Sequence, residues 1–173
     1  MIIVAAAATV AMLSLSGVSL RDMLADDQRL VVPYTADSGF EPHRAHPTDA
    51  GADLCLAHSV VLQPGDRKLA DTGVHVAIPE GYVGLLVPRS SLPHKYGVTI
   101  ANSPGIIDSD YRGEIKLNLL NIDRKQVILP AGQRVAQLLI MPIALAQFRY
   151  SAALPPTVRG DGGHGSTGTG VAA

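Results

Sequence analysis

Residues 114–143 read EIKLNLLNIDRKQVILPAGQRVAQLLIMPI, and their spacing decides the fold class. Three apolar runs, EIKLNLLN (114–121), QVIL (126–129) and RVAQLLIMPI (134–143), are split by the turn signals NIDRK and PAG. Each run is rich in Leu, Ile and Val and is bounded too closely to grow into a long helix, so each predicts one strand. The same pattern continues toward the amino terminus. LVV (30–32), ADLCLA (52–57), VVL (60–62), HVAI (75–78), YVGLLV (82–87) and VTIA (98–101) are strand-sized, with QPGD, PEG, SPG and SDYRG between runs. In QPGD (63–66) Pro64 presets φ and Gly65 accepts a positive φ, which predicts a type II turn; PAG (130–132) can act alike. Many strands without room for crossover helices predict an all-β antiparallel sandwich or jelly roll rather than βαβ units.

Composition bounds the function. A length of 173 residues is one domain's worth, and 47% apolar residues suffice for a core. Aromatics are only 4%, with no Trp, which excludes a broad stacking platform for single-stranded nucleic acid. Lys+Arg (14) against Asp+Glu (15) leaves a net charge of −1, so no overall basic field draws in nucleic acid or an anionic membrane. The lone Cys55 excludes an internal disulfide framework and fits a reducing, cytoplasmic location. It lies in an apolar strand, where an inert thiol is expected.

Both ends differ from the middle. Residues 1–20, MIIVAAAATVAMLSLSGVSL, carry no charge before Arg21, yet lack the basic n-region of a signal peptide and the hydrophobicity of an anchored span. Met12 and Met23 are alternative in-frame starts. Residues 1–28 are read as an extension, either disordered or a short helix over 19–27 capped by Ser19. Residues 29–150 form the β domain. Residues 151–173, SAALPPTVRGDGGHGSTGTGVAA, are Gly, Ser, Thr and Pro with little to bury, and predict a flexible arm that is disordered alone or orders on a ligand.

Three stretches carry chemistry. RGDGGHGSTG (159–168) surrounds Arg159 and His164 with glycines that let successive N–H groups face one anion, and Ser166 and Thr167 add hydroxyl donors. PRSSLPHKYG (88–97) offers the Arg89 guanidinium beside Ser90 and Ser91, a set suited to phosphate. NSPGIIDSDYRGEI (102–115) holds Asn102, Asp108 and Tyr111 in a hairpin-sized stretch. Asn102 can read a base edge, Tyr111 can pack on a flat ring or sugar, and Asp108 follows two Ile. That neighbourhood predicts a partly desolvated carboxylate able to take a proton from water, although a turn-starting Asp bonded to its own backbone fits as well. His43 and His46 (HRAH) lie in a Pro- and Asp-rich loop and make no zinc set.

Taken in order, DAGADL (49–54), PRSSLPHKYG, NSPGIIDSDYRGEI, GQRVAQLLIMP (132–142) and RGDGGHGSTG resemble the five ordered motifs of the trimeric dUTP pyrophosphatases (dUTPases) over roughly residues 30–169. The resemblance implies a dUTPase-like jelly roll assembled as a homotrimer, with active sites shared between subunits and closed by the carboxy-terminal arm. Fully extended, the 23 residues after Tyr150 reach up to ~70 Å. It implies Mg²⁺-assisted hydrolysis of dUTP to dUMP and pyrophosphate by water attack on the α-phosphorus, which lowers dUTP and supplies dUMP for dTMP synthesis. Asp108 would be the base. Arg89, Ser90, Ser91 and Gln137 would hold the α- and β-phosphates, and Arg159, Ser166 and Thr167 the γ-phosphate, with Gly165 among the substrate-binding residues. Asn102, Gly105 and Ile107 would receive the uracil, Tyr111 would pack under the deoxyribose, and Lys116 would complete the substrate set. His164 stands where most members carry Phe and would stack over the base. Asp53 would orient magnesium-bound waters in an outer shell, or make a structural hydrogen bond at its strand start.

Two departures are visible. Gln133 stands where members usually carry Asp or Glu, so a supporting ion pair is expected to be missing. Residues 19–32 resemble the start of the dCTP deaminases, a sister family, which opens the alternative of a deaminase or bifunctional enzyme. Deaminases need a Glu ten residues after the shared Asp, and Asn118 stands there. A nucleotide-gated regulatory binding protein on the same fold is the other alternative.

Overall fold

Alternation of apolar side chains produces short strands, and tight turns fold them back on one another. The computed structural model describes residues 30–163. In chain order these form β1 (Tyr34–Ala36), β2 (Ala52–Cys55), β3 (Val60–Leu62), β4 (Arg67–Asp71), β5 (Val74–Val76), β6 (Tyr82–Pro88), α1 (Ser91–Tyr96), β7 (Val98–Ile100), β8 (Gly105–Ile107), β9 (Lys116–Asn121), β10 (Val127–Leu129) and β11 (Arg134–Pro142). Pairing is antiparallel between all of these strands. One sheet has the order β2-β11-β6-β8 and a second β4-β9-β7, with two-stranded ladders β1-β5 and β3-β10 beside them. The architecture is an all-β jelly roll with one short helix among the described residues.

The core follows from period two. In β9, Leu117 and Leu119 are fully buried, and they meet Leu54, Leu56, Leu62, Leu129 and Val135. Each such side chain contributes about 1.5–3 kcal/mol by leaving water. Buried polar groups are satisfied. The Asn121 amide donates to the Leu62 and Lys125 carbonyls while its Oδ1 accepts from the Asp123 N–H, tying β9 to β3 and to the next turn. Thr72 Oγ1 donates to the Ile115 carbonyl at 2.6 Å. The type II turn at QPGD forms, with Gly65 at φ 78° and the Asp66 N–H donating to the Gln63 carbonyl.

The elements differ from expectation in several places, and β4 and β8 lie outside every expected strand run. Leu30–Val32 form no strand; pairing begins at Tyr34, because Pro33 lacks the N–H a ladder needs and contributes only its carbonyl, to the Ala77 N–H. The strand expected over 75–78 runs Val74–Val76 instead. Ser91–Tyr96, where no helix is expected from the sequence, closes into α1 and stops at Gly97. The helix expected over 19–27 lies outside the described residues. Contacts divide the chain after Ile143 into two units. In the second, described residues 144–163 carry no strand or helix and are exposed apart from Gly162. No helix among the described residues is long and apolar enough to cross a membrane.

Candidate active site

Strand register brings separate sequence motifs together. β11 lies between β2 and β6, with Gln137 opposite Asp53 on one side and Val87 on the other. Residues directly opposite in an antiparallel pair share a face, so Asp53 and Gln137 meet side by side. The ladder continues one residue past β6, where the Arg89 N–H donates to the Val135 carbonyl, and this turns the Arg89 side chain toward the same spot.

The result is a carboxylate held by three donors. Asp53, only 5% exposed, accepts on Oδ1 from Arg89 Nε (3.1 Å) and Gln137 Nε2 (3.1 Å), and on Oδ2 from Arg134 Nη1 (3.2 Å). Arg89 Nη1 also reaches the Arg134 carbonyl at 3.4 Å. Two guanidiniums face one carboxylate, so the cluster keeps an excess positive charge that suits an anion.

Arg134 is the member of this cluster that sequence reasoning did not single out. On β11 the register with β2 shifts between Arg134 and Ala136, so Arg134 pairs with Cys55 and Val135 is an extra residue. This bulge moves Arg134 from the core face to the face of Asp53 and buries Val135 completely. The sequence carries no clear signal for it: β11 runs Val135, Ala136, Gln137, Leu138, Leu139, Ile140 and Met141, apolar almost throughout, so a break in alternation does not stand out. Cys55, on the same face, is half-buried, and burial pushes its thiol above its ordinary range, against the pull of Arg134.

Ser90 is exposed at the N-cap of α1 and makes no side-chain capping bond, and Ser91 opens the helix half-buried. Next in the sheet, β6 pairs with β8, with Gly84 opposite Ile107 and Leu86 opposite Gly105. The Asn102 amide lies over Gly105. Asp108 follows β8 and is exposed. The desolvation expected from its two Ile neighbours is not supplied by this chain, because Ile106 is itself exposed and Ile107 only half-buried. The Tyr111 N–H donates to the Asp108 carbonyl, and Tyr111 Oη donates to the Glu114 carbonyl at 2.9 Å. The Tyr111 ring folds over Gly113 so closely that a Cβ there would lie 2.3 Å from Oη.

Lys116 is engaged within the chain. Its ammonium pairs with Asp71 and with Glu114 Oε2 (3.1 Å), while Glu114 Oε1 accepts from the Gly73 N–H. The Lys116 bond holds the Asp71 carboxyl below its usual range. Burial pushes Glu114 up, but the Gly73 N–H and Lys116 outweigh it and leave Glu114 lowered. The bonds to Asp71 and then Glu114 hold Lys116 raised. Depressed acids stabilise the fold above their unfolded values and stop doing so as pH falls through the folded ones. A raised lysine stabilises below its unfolded value and stops as pH climbs through the folded one. The melting temperature is therefore expected to carry a contribution between about pH 5 and 10 that fades on either side. A Lys116→Met variant measured across pH should lose it.

Arg159 lies in the second unit, where its Nε donates to the Gly162 carbonyl at 2.8 Å. His164, Gly165, Ser166 and Thr167 lie outside the described residues.

A family model described as dUTPase matches residues 38–168. A deoxyuridine 5'-triphosphate nucleotidohydrolase of Cutibacterium acnes is 50% identical over 140 residues, covering 80% of this chain and 92% of that protein. A solved dUTPase mutant of Staphylococcus bacteriophage 80alpha with dUpNHpp is 29% identical, with a TM-score of 0.75 over 82% of this chain and all of that one. Another, a mutant dUTPase of phage phi11 of S. aureus described with a structural Mg(II) ion, is 28% identical, with a TM-score of 0.67 over 73% of this chain and all of that one.

Proposed function

This chain belongs to the dUTPase family, and from that premise we propose how its residues carry out the hydrolysis of dUTP to dUMP and pyrophosphate. The observation that carries the reading is the register of β11. It gathers Asp53, Arg89 and Gln137 at one place in the sheet whose edge strand, β8, leads into Asp108.

Asp108 orients a water in line with the α-phosphorus and takes its proton as the new oxygen–phosphorus bond forms; the bond from the α-phosphorus to the oxygen bridging to the β-phosphate breaks on the opposite side, and its electron pair leaves with pyrophosphate. An exposed carboxylate is open to both water and substrate, and closure by the arm and a neighbouring subunit of a homotrimer would remove it from bulk solvent. Arg89, Ser90, Ser91 and Gln137 hold the α- and β-phosphates, where phosphoryl transfer needs charge stabilisation more than covalent help. Arg159, Ser166 and Thr167 meet the γ-phosphate, with Gly165 among the substrate-binding residues. Asn102 and the backbone around Gly105 and Ile107 pair with the uracil edge, Tyr111 packs beneath the deoxyribose, and His164 stacks over the base. The ion pairs of Lys116 with Asp71 and Glu114 point to a supporting role under the hairpin.

The residues do not fit a resident cation. Among the described residues no three His, Cys, Asp or Glu side chains gather to hold a metal, and both Asp53 oxygens already serve cationic or amide donors. We therefore place Mg²⁺ with the substrate, as the magnesium complex of dUTP, where it draws charge from the phosphoryl oxygens. The enzyme acts in the cytoplasm as a homotrimer; light scattering tests the assembly.

Pyrophosphate release should be measured with dUTP, dCTP, dTTP and UTP in Mg²⁺. Fast turnover of dUTP alone is expected, whereas ammonia release from dCTP would overturn the assignment. Gly113→Ala should displace the Tyr111 ring and reduce discrimination of dUTP over UTP, read as the ratio of kcat/KM, by about tenfold.

A further inference from the structure

We infer that Asp53 is a positioning residue: its buried carboxylate fixes Arg89 and Gln137 for the triphosphate, with Arg134 as the second clamped guanidinium, and it does so whether or not metal is present. The inference rests on the reading of Arg89 and Gln137 as phosphate-binding groups and adds how they are held.

Three observations carry it. Asp53 is 5% exposed and receives three charged or amide hydrogen bonds of 3.1–3.2 Å, so three of its roughly four acceptor positions are taken inside the protein. A carboxylate oxygen receives about two such bonds; Oδ1 is filled by Arg89 and Gln137, and the guanidinium at Oδ2 repels a cation approaching there. The bulge on β11 is the third. It removes Arg134 from strict alternation and places it on Asp53, at the cost of a regular ladder. Arg89 uses Nε for Asp53 and Nη1 for the Arg134 carbonyl, so its plane is held at two points while its Nη2 edge has no partner among the described residues. A planar guanidinium held in this way presents its outer edge in one direction, which suits a phosphate oxygen.

The test is binding of dUpNHpp by titration calorimetry to the full chain, once in EDTA and once with Mg²⁺. Asp53→Asn is expected to weaken binding about tenfold or more, by the same factor in both buffers. In a double-mutant cycle with Arg89→Gln, the double variant should lose clearly less than the product of the two single fold-changes, because Asp53 acts in part through Arg89, the remainder passing through Gln137. A merely structural role would make the two losses add. Asp53→Glu keeps the buried charge and guards against failure of the Asn variant to fold; it should show the same metal-independent loss, about threefold. Unchanged affinity in EDTA, with loss only in Mg²⁺, would overturn the inference in favour of a water-mediated metal contact. Failure of the unmutated chain to bind dUpNHpp would instead sink the underlying reading of the site.

Discussion

Asp108→Asn is expected to lower kcat for dUTP by on the order of 10²–10⁴, while affinity for dUpNHpp stays within a few-fold. Asparagine keeps the size and one acceptor oxygen of the carboxylate but cannot take a proton. Asp108 is exposed, and the substitution leaves no buried donor stranded, so the fold should not respond. The backbone carbonyl of Asp108, which accepts the Tyr111 N–H, is common to both residues and keeps the turn. Single-turnover kinetics with calorimetric binding check both halves. Equal losses in binding and turnover would mean that Asp108 holds substrate and does not activate water.

The second large effect concerns the arm. A chain ending at Val158 is expected to lose on the order of 10²–10³ in turnover, while its melting temperature moves by less than about 2 °C. The described residues from Ala144 to Gly163 are exposed almost throughout and form a unit separate from the β domain, so removing part of them exposes little apolar surface. The lost groups, Arg159 with Ser166 and Thr167, are cationic and hydroxyl donors proposed for the γ-phosphate, and their value lies in the charge they meet during phosphoryl transfer. Scanning calorimetry and a pyrophosphate assay on the same preparation separate the two quantities. A large fall in melting temperature, or unimpaired turnover, would contradict the assignment.

Asp108 and Asp53 contrast in what a sequence can convey. Both are single acidic residues beside apolar runs. For Asp108 the two preceding Ile suggest burial, yet the side chain is exposed, because Ile106 is itself 59% exposed and Ile107 only half-buried, so neither takes the next residue into the core. For Asp53 two roles were open, and the structure shows it buried in contact with groups 36, 81 and 84 residues away. Burial of a polar residue depends on which strands pair, and pairing across such separations is non-local.

Local chemistry was readable because it is set by neighbours along the chain. Pro64–Gly65 specifies its turn from two residues, and alternation in EIKLNLLN specifies a strand and its inward face. Pro33 was equally local and was passed over: its missing N–H ends the LVV run as a strand. The order of five motifs, with the Arg, Ser, Asn, Asp and Tyr they contain, lay entirely in the sequence, and the family follows from them. Only the tertiary structure decided that one bulged residue on β11 would swing Arg134 onto Asp53, and that Asp53, Arg89 and Gln137 would share a face. The physical reason is parity. In a strand of period two, a shift of a single residue moves a side chain from core to site, and that shift is chosen by the packing of Val135 against the core and by the partner strand.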